Sequence, residues 1–282
     1  MTHMDRYVVA GNPVEHSQSP FIHAEFARQT GQALEYGRVL WPLEGFKDAV
    51  RALAESGAKG CNITVPFKFD AFREAQRLTP RARLAQAANV LCFDAEGWLA
   101  DNTDGVGLVN DIERNAGVAI AGKSVLLIGA GGAAAGVLGP LLATRPRLVV
   151  VANRTLEKAR ALVERHAAVA GDAELRASTL AACGAGFDIV INASASSMQG
   201  ADVPVSPAVL APGALALDMM YGPAAQAFLD WAVRHGARGR DGLGMLVEQA
   251  AAAFELWRGV RPDTAPVLAA LRARMAATQR SP

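Results

Sequence analysis

The stretch "KSVLLIGAGGAAAGV", Lys123 to Val137, decides the fold. Its opening, "SVLLIGA", is an uncharged aliphatic run that reads as a buried strand. The strand runs into a glycine cluster and then into a run of small residues that reads as a helix. Gly129, Gly131 and Ala134 fit the spacing G-x-G-x-x-G/A. The first glycine permits a tight turn, the second lets backbone amides approach a pyrophosphate, and the small third residue lets helix and strand pack closely. The pyrophosphate would sit at the positive N-terminus of that helix. Ser124 to Thr144 carries no charge and is long enough to cross a bilayer. The glycine cluster and Pro140 argue instead for a strand, a turn and a covered helix.

Downstream, "RLVVVAN" reads as a strand, "TLEKARALVERHA" as a helix, and further strands lie near Ile189 and Leu215. Such alternation implies βαβ units and a parallel sheet. NAD-binding folds place Asp or Glu at the end of the second strand to hold ribose hydroxyls. Here Asn153, Arg154 and Thr155 stand there, with Lys158 a turn later. A carboxylate would repel a 2′-phosphate and a guanidinium can grip it, so these residues favour NADP.

Upstream, "RYVVAGN" is a strand. Ser19-Pro20 opens a helix, with Ser19 as cap and Gly31 as stop. "EYGRVLW" is a second strand and "LEGFKDAVRALAESG" a second helix. "GCNITVPFK" reads as a third strand, ended by Pro66 and presenting Lys68 at the sheet edge. A helix follows, then a hairpin turning at Glu96-Gly97, then a connecting helix from Asp104. Two helices, "LGMLVEQAAAAFELWRG" and "APVLAALRARMAA", come last.

Composition bounds the function. The 282 residues are 51% hydrophobic and 20% charged, which argues against disorder and coiled coil. A net charge of +1 gives no general field for nucleic acid or membrane, so an anion must be met by local charges. Cys61, Cys92 and Cys183 are widely spaced without a C-x-x-C pair, which points to neither disulfides nor zinc and fits a reduced, cytoplasmic location. No signal peptide is visible. His16, His23, His166 and His235 form no recognisable ligand spacing, so no metal is expected.

Ser17, Ser19, Asn62, Thr64, Lys68, Asn89 and Asp104 all fall near expected strand ends. If parallel strands align, they open onto one edge. Hydroxyl, amide and ammonium groups together suit a small polyhydroxylated carboxylic acid. The motifs "GNPVEHSQSPFIH", "NITVPFK", "DNTDGVGL", "IGAGGAAAGV", "NRT" and "DGLGMLVEQAA" together resemble the shikimate dehydrogenase family, from Gly11 to Ala251. The resemblance implies an α/β, two-lobed chain: an N-terminal α/β substrate domain plus a Rossmann-type NADP-binding domain. Residues 1–104, completed by the C-terminal helices 245–282, would form the substrate domain, and 105–244 the NADP domain, with the cleft between the lobes.

By the same resemblance, Lys68 and Asp104 match a catalytic pair. Ser17 and Ser19 match serines that hold the substrate carboxylate. Asn62, Thr64, Asn89 and Gln249 match residues that bind ring hydroxyls or line the pocket, and Tyr221 a tyrosine near the carboxylate. The cofactor would lie on Gly129, Ala130, Gly131, Gly132 and Ala133, on Asn153, Arg154, Thr155 and Lys158, and near Met219 and Gly242. The implied reaction is reversible NADPH-dependent reduction of 3-dehydroshikimate to shikimate by a monomer or homodimer, with no nucleic-acid or membrane partner. Departures stand at Ala134-Ala135, where relatives often carry Ser-Arg, and at Val90, where Thr is usual. The nearest rivals are an NAD-using quinate/shikimate dehydrogenase and a non-catalytic NADPH-binding regulator.

Overall fold

The structure, a computed structural model, describes residues 4–194 and 203–280, with side chains described as far as Ala277. The chain divides into two compact units: Met1–Gly107 with Leu246–Pro282, and Leu108–Met245.

The first unit begins with β1 (Asp5–Gly11), α1 (Ser19–Thr30), β2 (Leu34–Leu40), α2 (Phe46–Glu55), β3 (Gly60–Ile63) and α3 (Lys68–Glu74). It continues with β4 (Arg77–Leu78), α4 (Pro80–Ala85), β5 (Val90–Asp94) and β6 (Gly97–Asp101). The sheet order is β2-β1-β3-β5-β6-β4. β1 runs parallel to β2 and β3, and the β5–β6 hairpin lies antiparallel beside β3. Tight turn chemistry sets the boundaries. Gly31 ends α1 in the left-handed region at φ 66°, with its N–H bonded to Ala27 O.

Two readings need correction here. The third strand stops at Ile63, and Thr64–Phe67 forms a turn, so Lys68 opens α3 instead of standing at a sheet edge. The cause is Phe67, which is buried against Trp41 and Phe46 and pulls the chain inward. Pro66, lacking an N–H, could not have continued the ladder. Ser19 is not the cap of α1. Gln18 holds that position, without a side-chain bond, and Ser19 lies in the helix.

α5 (Asp104–Asn110) and a π-turn, Asp111–Asn115, lead into the second unit. There β7 (Ser124–Ile128), α6 (Gly132–Ala143), β8 (Leu148–Ala152), α7 (Leu156–His166), β9 (Glu174–Ser178), β10 (Phe187–Asn192), β11 (Leu210–Asp218), α8 (Pro223–Arg234) and β12 (Arg238–Arg240) follow. The order β12-β11-β10-β7-β8-β9 is parallel throughout, a doubly wound sheet whose strand order reverses beside β7. Every residue of β7 is buried, as expected of a central strand covered on both faces.

α9 (Leu243–Arg258) and α10 (Ala265–Arg280) come last. From Leu246 onward they complete the first unit. Trp257 stacks on Tyr7 at 4.6 Å, and its indole N–H donates to Leu91 O at 3.1 Å. Gly60 makes room for it: a β-carbon there would stand 2.7 Å from Trp257 Nε1. Phe254 packs against Phe26.

Candidate active site and dinucleotide cradle

In the first unit, burial of Phe67 turns the next side chain, Lys68, toward the start of α5. Its ammonium donates to Asp104 Oδ2. The two side chains are only 14% and 6% exposed. Asp104 Oδ1 accepts from Asn89 Nδ2 at 2.9 Å, and the Asp104 N–H donates to Asn102 Oδ1 at 3.1 Å. Asn89 Nδ2 also faces Gln249 Oε1 at 3.1 Å and Thr103 Oγ1 at 3.0 Å. Three acceptors thus share two N–H bonds, and the Thr103 hydroxyl also faces Gln249 Oε1 at 3.4 Å. Asn89 Oδ1 accepts the Thr103 N–H at 2.8 Å. The fold therefore gathers Lys68, Asn89, Asp104 and Gln249 into one buried polar cluster. Thr103 and Asn102 belong to it too and were missed, although "DNTDG" shows them beside Asp104. A paired ammonium in such a setting can hand a proton to an oxyanion, and the carboxylate aims it.

A second polar group lies at the start of α1. Ser17 and Ser19 hydroxyls are 3.2 Å apart, and Arg38 from β2 donates to Ser17 O at 3.0 Å. Asn62 is buried, donates to Asn89 O at 3.2 Å, and so links the first group to β3. Thr64 sits on Gly11, whose β-carbon would come within 2.3 Å of Thr64 Cγ2, so only glycine fits under it. Its N–H donates to Ala10 O at 3.0 Å.

Beneath Asn62, His23 stacks flat on Tyr36 at 4.1 Å. Neither ring nitrogen of His23 has a hydrogen bond of good geometry among the described residues. Burial pushes its pKa down to about 3, opposed in part by nearby Asn62. The unfolded chain takes up this proton below about pH 6.5, the folded chain only near 3. Stability is therefore lost as pH falls through that window, by up to about 1.4 kcal/mol per pH unit from this residue. Urea unfolding from pH 7 to pH 4 should show a shallower loss for His23→Phe than for the parent. Parallel curves would refute the assignment.

The second unit carries the dinucleotide features. Gly129 follows β7 at φ 111°, and a β-carbon there would stand 3.0 Å from Ala193 O at the end of β10. Both facts demand glycine. At Gly131 an added β-carbon would meet nothing within 4 Å, so this face is open. Gly131 precedes Gly132 and Ala133 in the first turn of α6, which has no side-chain cap, while Ala134 and Ala135 are buried. Ala130 lies between the two glycines.

At the end of β8, Asn153 Nδ2 donates to Thr155 O at 2.8 Å and shapes the turn. Arg154 and Lys158 are exposed, and neither takes part in an ion pair among the described residues. Gly242 closes on Met219: a β-carbon would lie 2.3 Å from Met219 O. Tyr221 stands in the loop after β11, half-buried. An open backbone turn at a helix N-terminus with free cations beside it fits a phosphate-bearing dinucleotide.

No described helix is long and apolar enough to cross a membrane. Three family models match the chain: shikimate dehydrogenase substrate binding domain over residues 9–91, shikimate/quinate 5-dehydrogenase over 112–200, and shikimate 5′-dehydrogenase C-terminal domain over 242–272. The shikimate dehydrogenase (NADP(+)) of Methylibium petroleiphilum is 65% identical over 277 residues, covering 95% of this chain and 94% of its own. That of Acidovorax sp. strain JS42 is 61% identical over 275 residues, covering 97% and 98%. The crystal structure of shikimate 5-dehydrogenase from Thermus thermophilus in complex with shikimate matches with a TM-score of 0.84 at 29% identity, covering 97% of this chain and 100% of that one.

Proposed function

This chain belongs to the shikimate dehydrogenase family, and from that membership we propose that it interconverts 3-dehydroshikimate and shikimate with NADP(H), as an oxidoreductase of aromatic amino-acid biosynthesis. The observation that carries the reading is the buried Lys68–Asp104 pair, held by Asn89 within reach of Gln249. Residues 1–104 with 245–282 take the substrate, and 105–244 take the cofactor. Gly129, Ala130, Gly131, Gly132 and Ala133 hold the pyrophosphate, Asn153, Arg154, Thr155 and Lys158 the 2′-phosphate side, and Met219 and Gly242 the nicotinamide side. NADPH held there supplies a hydride.

Lys68 donates its proton to the oxygen of the ketone as that oxygen gains charge, and its cation stabilises the charge meanwhile. Asp104 fixes the ammonium in place and shares the hydroxyl of the product. In the opposite direction the same lysine receives the proton. Ser17, Ser19 and Tyr221 take the carboxylate. Asn62, Thr64, Asn89 and Gln249 take the ring hydroxyls. The enzyme works in the cytoplasm, as a monomer or homodimer.

Initial rates for shikimate or quinate, each with NADP⁺ or NAD⁺, test the reading. Turnover strongest for shikimate with NADP⁺ is expected. Equal rates with quinate or NAD⁺ would remove the selectivity assigned to this site, and no turnover with NADPH still bound would favour a regulator. Arg154→Ala should raise the KM for NADP⁺ by about 10- to 100-fold, the worth of a charge-assisted contact, and leave that for NAD⁺ unchanged. An equal effect on both cofactors would place Arg154 away from the 2′-phosphate.

A further inference from the structure

We propose that Tyr36, which touches no substrate in this reading, is the positioning residue that holds the Asn62 amide toward the substrate and so sets which ring hydroxyl the site accepts. The inference rests on the assignment of Asn62 as a substrate contact. The Tyr36 hydroxyl donates to Asn62 Oδ1 at 2.6 Å. On the other side of the amide, Asn62 Nδ2 donates to Asn89 O at 3.2 Å. A backbone carbonyl can only accept, so the nitrogen must face it and the oxygen must face Tyr36. The carbonyl excludes the flipped amide, and the Tyr36 hydroxyl, able to donate or accept, donates in the orientation that remains. Asn62 keeps a second N–H and a second lone pair on its oxygen, and the Tyr36 bond fixes where both point.

Three further features keep Tyr36 in this role. Its ring lies flat on His23, 4.1 Å away at 4°, which fixes the plane of the phenol. Its hydroxyl is buried, and burial first, then nearby Cys61, holds its pKa well above the ordinary phenol value, so it remains a donor at working pH. The Ser19 side chain faces the same hydroxyl and works against that rise. One phenol oxygen on β2 thus stands next to a residue of the carboxylate end and a residue of the hydroxyl end. A neighbour that serves both ends can keep their spacing constant, which is how a small pocket tells ring substituents apart.

Tyr36→Phe removes the hydroxyl and keeps the ring on His23. The expected result is a KM for shikimate raised roughly five- to tenfold, with kcat changed less than twofold, because one orienting hydrogen bond is lost and the proton-transfer pair is untouched. The thermal midpoint should stay within a few degrees of the parent. Among deoxy analogues lacking one or other of the two unreactive ring hydroxyls, the penalty should vanish for one and persist for the other. A penalty equal for shikimate and both analogues would indicate general loosening and overturn the proposal, as would an unchanged KM.

Asn62→Ala, measured in parallel, separates this inference from its premise. If Asn62→Ala raises KM and Tyr36→Phe does not, Tyr36 has no positioning role although Asn62 binds substrate. If Asn62→Ala itself leaves KM unchanged, the substrate assignment of Asn62 falls and takes the role of Tyr36 with it. In the double variant the two effects should not add, since Tyr36 acts through Asn62. Additive effects would also overturn the proposal.

Discussion

Replacing Lys68 with alanine lowers kcat by about 10²-fold or more, the usual consequence of losing a general acid. The setting argues for the upper part of that range. With side-chain exposures of 14% and 6%, Lys68 and Asp104 leave little room for bulk water to stand in as proton donor. Asp104 keeps the Asn89 bond after the change, and Asn89 keeps the Thr103 backbone, so the pocket wall survives. Binding of NADPH, followed by its fluorescence, should be unaltered. Lys68→Arg should be nearly as slow, because a guanidinium retains the charge but does not release its proton. A Lys68→Ala enzyme with near-normal kcat would end the assignment.

Gly242→Ala should be a strongly damaging small change in the second unit. The added carbon would lie 2.3 Å from Met219 O and 2.7 Å from Met219 C, both backbone atoms. Met219 cannot retreat easily. Its N–H donates to Asn192 O at 3.0 Å, and the Gly242 N–H donates to Met220 O at 2.9 Å. Moving Met219 therefore disturbs the ends of β10 and β11 together. A cost of about 3 kcal/mol is expected, at the upper end of ordinary overpacking. The thermal midpoint should fall by roughly 10 °C, and NADP⁺ affinity should fall with it. Gly131→Ala is the matched control. Its added carbon meets no protein atom within 4 Å, so stability should hold while NADP⁺ affinity drops. Equal stability of the two variants in a melting experiment would refute the crowding argument at Gly242.

The contrast between these sites explains what could be read from the chain alone. The strand, turn and helix around Gly129 were legible because their requirements are local. A φ of 111° and a neighbouring carbonyl at 3.0 Å leave only glycine, and the aliphatic run before it can only be buried. The element bearing Lys68 was not legible in the same way. α3 exists because Phe67 finds Trp41 and Phe46, partners from other parts of the chain, and no local periodicity announces that. Strands β4, β9 and β12 are short or lie at sheet edges, so their patterns are weak. Tyr36 escaped notice because its partner is 26 residues away. Gln249 stands 160 residues from Asn89, and only resemblance, not spacing, could bring it into the site.

The return of α9 to the first unit also bears on how the protein is made. Synthesis delivers Tyr7, His23 and Phe26 early, while Phe254 and Trp257, which cover them, emerge only after the whole second unit. At ordinary elongation speeds the gap is on the order of ten seconds or more. During that interval the second unit, continuous in sequence, is free to close on the ribosome. The first unit must wait with an aromatic face uncovered, and it is the unit for which a nascent-chain chaperone would matter.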